Sequence, residues 1–548
     1  MFKAIILFFI LGLSQFASAN SKTLNIGVSA EFENLNPLIG SQAVTNYILY
    51  LAHRPVVYLT PDLKWKPMII KELPTLQNKL AKKVGEGLQV TVEFLPDLNW
   101  GDGQPVTCAD LEFTWTVGKH PNVSIPNREP FENIKSIIAD PKNPKKCTVE
   151  FTKAKFDYFA AVPSPLPMHL EKAVFEKYKN KPQGYDQNSL YTKQPNNPGL
   201  YYGPYVISEV KLGSHVIFTP NPQYKTKKPF FEKIVIKLIP NNGVLEANLR
   251  SGNIDMIASA TGLGIDQAVA FDNKVKKENL PYEVIFEDGV IYAHMDFNLD
   301  TPIVSDINVR KAIIHGFNRK EMIKALLEGK GQIAHSFVTP NDPWFDSKTL
   351  NYEFSRRKAS KLLDEAGWKM GSDGYRAKNG KRLSINLLGA AGSKLNDLIQ
   401  AFFQEEMKAI GIEIRLKNEP PRVFFGETVN KRAFDIAMYS WVSIPENSPR
   451  STLHSTSIPT AKNSYAGQNY PGYKSPEVDK LIDQLESELD AQKRAEIGKK
   501  IVRKYAEDLP VMPVYYRPNN AVIPKGLKGF KLSGHIFYET LYAEDWSR

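Results

Sequence analysis

Twice along this chain an amphipathic helix runs directly into an apolar strand, and that succession constrains the possible folds more than any other feature. In the first case Leu245 and Leu249 share a helical face, Gly252 supplies the stop, and residues 254–258 are apolar enough to enter a sheet. In the second, a helix over residues 402–411 ends at Gly411 and feeds a strand over residues 412–416. Helices alternating with strands predict an α/β class, with helices packed on a sheet. A hairpin adds to the sheet: Tyr205, Ile207 and Val210, then Val216 and Phe218, alternate as half-buried strands around a turn at Gly213.

The N-terminus reads as an export leader. Lys3 precedes an apolar run over residues 4–13, and Ala17-Ser18-Ala19 places small residues at the −3 and −1 positions of a cleavage site after Ala19. The run is about half the roughly 20 residues needed to span a bilayer, which argues against a membrane anchor. No Cys follows the small residues, so the expected destination is the soluble periplasm rather than a lipid anchor. The mature chain keeps roughly 530 residues, which predicts about two or three domains.

Cysteine use agrees with export. Cys108 and Cys147 are the two cysteines, and an even pair in an oxidising compartment favours one disulfide. The alternative is a pair of buried free thiols. Two cysteines cannot complete a tetrahedral zinc shell and no His pair has ligand spacing, so neither a metal nor a cofactor is expected. The formal charge of +11, or +10 once Lys3 leaves with the leader, comes from Lys and Arg scattered along the chain. That is a solvated surface, not a nucleic-acid stripe.

Longer phrases carry a resemblance. The hairpin opens on Gly203-Pro204-Tyr205 and closes on Asn221-Pro222-Gln223-Tyr224; Asn34-Leu35-Asn36-Pro37-Leu38 follows a first strand over residues 23–28. Asp102-Gly103-Gln104-Pro105-Val106-Thr107-Cys108-Ala109-Asp110 leads from a strand over residues 90–94 to a helix with Thr107 as N-cap. Ser251-Gly252-Asn253-Ile254-Asp255, then Asp306-Ile307-Asn308-Val309-Arg310-Lys311-Ala312-Ile313 with Asn318-Arg319, and Leu362-Leu363-Asp364-Glu365-Ala366-Gly367-Trp368 follow in order. Together these resemble the periplasmic solute-binding proteins of family 5, which serve ABC importers of peptides and nickel. Cys108 stands where that family has Ala, which gives the disulfide a location. The long helical region after Ser475-Pro476 carries Leu481, Leu485 and Leu489 as a core stripe.

The resemblance implies a two-lobed binding protein of type II, cluster C, with an extra domain inserted near the N-terminus. Lobe I maps to residues 20–56, 200–295 and 505–548, the inserted domain to 57–199, and lobe II to 296–504. It implies a monomer that binds a peptide or peptide-like solute between its lobes, closes on it, and passes it to an inner-membrane permease. Peptide-binding relatives carry Gly-Trp-x-Ala-Asp-Tyr-x-x-Pro, whose Asp holds the ligand's amine. Here the segment is Tyr439-Ser440-Trp441-Val442-Ser443-Ile444-Pro445-Glu446-Asn447-Ser448-Pro449, with Ile444 at the Asp position. The ligand-binding candidates are therefore Trp441, Tyr439, Ser440, Ser443, Glu446, Asn447, Arg450, Arg54 and Asn36, Arg54 mapping to a carboxylate of some oligopeptide binders.

Two ligand readings stay open. Glu446 takes over from the missing Asp, or Arg54 and Arg450 mark a site for N-blocked, acidic or non-peptide solutes, with a nickel complex or an oligosaccharide on Trp441 as alternatives. An exported hydrolase is the competing class, but no nucleophile elbow, zinc-protease motif or phosphate loop occurs. Asp102 and Asp110, a conceivable carboxylate pair, read as turn and cap residues.

Overall fold

The computed structural model describes residues 22–548 apart from 33, 260 and 464, so the expected leader lies outside the described residues. Among the described residues, no helix is long and apolar enough to cross a membrane. The centre is an 11-stranded mixed sheet. In spatial order it runs Glu413–Glu419, Ser384–Ala390, Ile436–Val442, Tyr282–Phe297, Val511–Pro524, Met256–Ile257, Thr23–Val28, Lys233–Leu238, His215–Pro220 and Tyr205–Lys211, with Gln332–Ile333 paired to Val511–Pro524. The hairpin and the first strand stand where alternation put them, and Gly213 at φ 72° makes the turn. The second helix-to-strand unit is a helix at Lys394–Lys408 followed by Glu413–Glu419.

Two strands are far longer than the rest, and they join the halves of the sheet. Tyr282–Glu287 pairs antiparallel with Asn519–Pro524, beside the strands that follow Thr23–Val28; Ile291–Asp296 pairs with Val511–Arg517, beside Ile436–Val442. Between these stretches the ladder breaks. Pro518 has no N–H to donate, and Val290 donates instead to Gly534 O (3.0 Å) while accepting from Ser443 N–H (2.7 Å). Gly289 sits in the break because a Cβ there would lie 2.1 Å from Arg517 O.

Each half has its own core. In one, Leu24 and Ile26 pack with Tyr47, Phe218, Ile234 and Trp546. In the other, Ile313, Ile399, Phe403 and Met407 from the helices Ile307–Gly316 and Lys394–Lys408 cover Ile385, Leu387 and Met438 of the sheet. The chain's last turn belongs to the first core: Trp546 is fully buried and Lys528 and Ser547 bond each other across a bridge.

A four-stranded sheet inserted between the first strand and the hairpin is separate from the central one: Ala81–Val84, Gly87–Glu93, Asn143–Phe151 and Ile134–Asp140. The helix Cys108–Lys119 lies on it and is tied to it by the disulfide Cys108–Cys147. Thr107 and Asp110 form a capping box, in which Asp110 Oδ2 accepts from Thr107 N–H (2.8 Å). Asp110 Oδ1 accepts from Met168 N–H (2.9 Å) and Asp102 Oδ2 lies 2.7 Å from His169 Nε2, so both carboxylates hold the start of the helix Met168–Tyr178.

One helix differs from expectation. The region after Ser475 is two helices, Pro476–Ser487 and Ala491–Asp508, the second started by Asp490 as N-cap. Val478, Ile482 and Leu485 make the buried stripe of the first. Leu489 is in the connection and packs instead on the core of the inserted sheet.

Replacing Cys108 and Cys147 by Ser is expected to lower unfolding stability by about 2–4 kcal/mol, since the bridge closes a long loop in the unfolded chain. Denaturant melts would show this; an unchanged midpoint would mean the bridge contributes nothing. Gly289→Val is expected to cost about 1–3 kcal/mol, because the added atoms meet backbone that cannot yield. A thermal midpoint equal to wild type would show that the break tolerates a side chain.

Candidate functional site

The pleat of two neighbouring strands builds one wall of the site. Tyr292 stands opposite Trp441, and His294 opposite Tyr439, in the pairing of Tyr282–Phe297 with Ile436–Val442. Side chains two apart share a face, so Tyr292, His294, Asp296, Tyr439 and Trp441 gather on one side of the sheet and Ser440 points to the other, where it is exposed. Their rings interlock: Tyr292 stacks on His294 (4.7 Å), His294 meets Tyr439 edge-on (4.4 Å), and Tyr439 meets Trp441 edge-on (5.6 Å). Trp441 is partly buried and stacks on Tyr470 at 6.4 Å and 11°. It walls a groove of about 100 Å³ that Ser443 and Asn447 also line.

Beneath this wall lies charge. Tyr439 donates its hydroxyl hydrogen to Asp296 Oδ2, while His294 Nε2 is 3.4 Å from Asp296 Oδ1. Burial pushes the Asp296 carboxyl up to about 7, partly countered by the Tyr439 hydrogen bond, and pushes His294 down to about 3. His294 is thus neutral.

The other sequence candidates are engaged elsewhere. Glu446, at φ 57°, accepts from Arg494 Nη2 (2.8 Å) and Nε (3.1 Å), so its charge is already matched. Arg450 donates to Glu486 Oε2 (2.8 Å) and pairs with Asp483. Arg54 is buried, donates to Tyr50 O (3.1 Å) and Leu541 O, and pairs with Glu544, which Tyr224 of the Asn-Pro-x-Tyr corner also holds (3.0 Å). Asn36 is sealed behind its turn: Oδ1 accepts from Leu38 N–H (3.0 Å) and Nδ2 donates to Ser189 Oγ (3.2 Å). Ile444 packs against Leu59, Phe537, Leu541 and Tyr542, an apolar contact where peptide-binding relatives carry Asp.

A larger cavity, about 370 Å³, lies between the helix Ala43–Ala52, the inserted sheet's loops and Phe537. Asn46, Tyr50, His53, Trp65 and Asn127 line it, and of the sequence candidates only Arg54 reaches it. His53 is fully surrounded, edge-on to Tyr202 at 4.9 Å, and burial pushes it down to about 3, so the cavity faces a neutral ring. The cavity suits uncharged or apolar groups, whereas the groove at Trp441 offers a flat aromatic wall with a carboxyl beneath it. Sequence reasoning missed Asp296, His294 and the cavity lining other than Arg54. Alternation of Tyr292, His294 and Asp296 within a strand was the one available signal.

Residues 75–463 match the profile of the "bacterial extracellular solute-binding proteins, family 5 Middle". The oligopeptide-binding protein AppA of Bacillus subtilis is 25% identical over 459 residues, covering 82% of this chain and 79% of AppA. The nickel-binding periplasmic protein of Escherichia coli is 23% identical over 74% of this chain and 78% of its own. Among solved structures, the oligopeptide binding protein from Thermus thermophilus, complexed with a pentapeptide, superposes with a TM-score of 0.71 at 26% identity over 96% of both chains. The jointed sheet described above is the two-lobed α/β fold of these proteins, and the chain belongs to family 5 of the bacterial extracellular solute-binding proteins.

Proposed function

We propose that this protein captures a peptide or peptide-like solute outside the inner membrane and delivers it, chemically unaltered, to the permease of an ABC importer. The observation that carries this reading is the pair of long strands that break at Asp288–Val290 and at Pro518, so that two separately cored halves share one joint. Ligand that touches both halves shifts an open–closed equilibrium by its differential affinity, and the permease reads the closed form. AppA and the Thermus protein, both named for oligopeptides, support the peptide class.

In this reading lobe I comprises residues 20–56, 200–295 and 505–548, the inserted domain 57–199, and lobe II 296–504. The protein works as a monomer without a cofactor. Export follows from the leader with cleavage after Ala19, and the disulfide suits an oxidising compartment. Binding, not catalysis, is the whole of its task. Trp441, Ser443 and Asn447 contact the solute from one wall, and the cavity beside Tyr50 and Trp65 takes side chains from the other. Glu446 acts on the solute only through the loop it anchors to Arg494.

Mass spectrometry of material released from natively purified protein is expected to show peptides; a protein that carries none and binds none from a mixed library would overturn the proposal. Trp441→Ala should weaken peptide binding by roughly tenfold or more, about 1.4 kcal/mol, with the thermal midpoint within a few degrees of wild type. Unchanged affinity would remove Trp441 from the site. For Glu446→Gln the expected result is a lower midpoint with no change in the ratio of affinities for free-amine and N-acetylated peptides. A selective loss of free-amine binding would restore Glu446 as the amine's partner.

A further inference from the structure

Asp296 is a buried carboxylate for which the described residues supply no cation. It is 2% exposed, and its neighbours with titratable groups are Tyr292 and His294 on its own strand, Tyr439 on the adjacent strand, Tyr470 in the following loop, and Tyr505 on the helix Ala491–Asp508. All are neutral near pH 7: burial raises each tyrosine and lowers the histidine. Tyr439 satisfies Oδ2. Oδ1 faces His294 Nε2 at 3.4 Å, and that nitrogen has no hydrogen-bond partner. The other ring nitrogen, Nδ1, lies 3.4 Å from Tyr292 O, and in either tautomer the neutral ring brings Asp296 no positive charge.

Beside Asp296 is a space of about 10 Å³, room for one water-sized group. Its aromatic walls are Tyr292, Phe337, Trp441 and Tyr505. Tyr292, Phe337, Trp441, Thr452 and Gln468 also line the solute groove, so this space is the groove's inner end. A carboxylate at the bottom of an aromatic box, with room for a group no larger than water, is the chemistry that recognises a primary ammonium: charge pairing, cation–π attraction from the walls, and up to three N–H donors. A bulkier quaternary head would not enter.

We infer that Asp296 is the counter-ion of the solute's primary ammonium group, held in the aromatic box of Tyr292, Phe337, Trp441 and Tyr505 at the inner end of the Trp441 groove. The inference rests on the proposed role in peptide capture, and it moves amine recognition away from the loop position that Ile444 occupies. Trp441 is then both the stacking wall of the groove and part of the cation's enclosure.

The test uses the full mature protein with a library of short free-amine peptides and the same library N-acetylated, compared by competition binding. Wild type is expected to prefer free amines by about tenfold or more at about pH 8, and to lose that preference toward about pH 5.5 as the Asp296 carboxyl takes up a proton. Asp296→Asn should abolish the preference, read as the ratio of the two libraries' affinities for one preparation. Tyr439→Phe, which keeps the ring and deletes the hydrogen bond that favours the carboxylate, should move the midpoint of the pH-dependent preference upward. If Asp296→Asn fails to fold, the wild-type pH profile and Tyr439→Phe decide the matter alone. Wild type that binds both libraries equally at every pH, or Asp296→Asn and Tyr439→Phe variants that keep its preference and midpoint, would overturn the inference while peptide capture stands; Asp296 then holds a water only. Wild type that binds neither library would instead overturn peptide capture and the inference with it.

Discussion

Pairing of Tyr282–Phe297 with Val511–Pro524, in two stretches along the same two strands, is the interaction on which the rest of the molecule depends. A sheet strand cannot bend sharply without interrupting its ladder, and here both partners interrupt it at one level, through Gly289 on one strand and Pro518 on the other. Backbone bonds diverted to Gly534 and Ser443 keep the joint from falling open to solvent. The two cores therefore stay distinct although the hydrogen-bonded sheet is shared. Motion between them needs only changes in a few residues' dihedral angles.

The two candidate recesses divide chemical labour. Arg54, Glu446 and Arg450 are each matched by an opposite charge from a neighbouring element, so they stiffen the frame rather than stand as free ions. The wide cavity has a largely apolar lining whose charged member, Arg54, is paired with Glu544, and the Trp441 groove is narrow and aromatic. A roomy, largely apolar space tolerates varied groups, while a narrow aromatic one fixes orientation.

Local signals were legible in the sequence. The strand Thr23–Val28, the hairpin about Gly213 and the capping box of Thr107 and Asp110 each depend on a few adjacent residues, and each stands where those residues put it. The connection at Glu488–Asp490 was not legible, because Leu489 keeps helical spacing with Leu485 while Asp490 restarts the helix as a cap. The site was legible only in part. Trp441, Ser443 and Asn447 line the groove, but Asp296 joins them through cross-strand register with a segment far along the chain. The cavity at Tyr50 and Phe537 draws on segments separated by most of the sequence, and no local pattern marks them as neighbours.

The burial of Trp546 against Leu24 and Ile26 bears on the order of biosynthesis. The strand Thr23–Val28 cannot complete its core until the segment around Trp546 has been added, because its packing partners include Ile523, Ala543 and Trp546. Nascent chains usually consolidate domain by domain from the N-terminus, and contacts this distant in sequence form slowly.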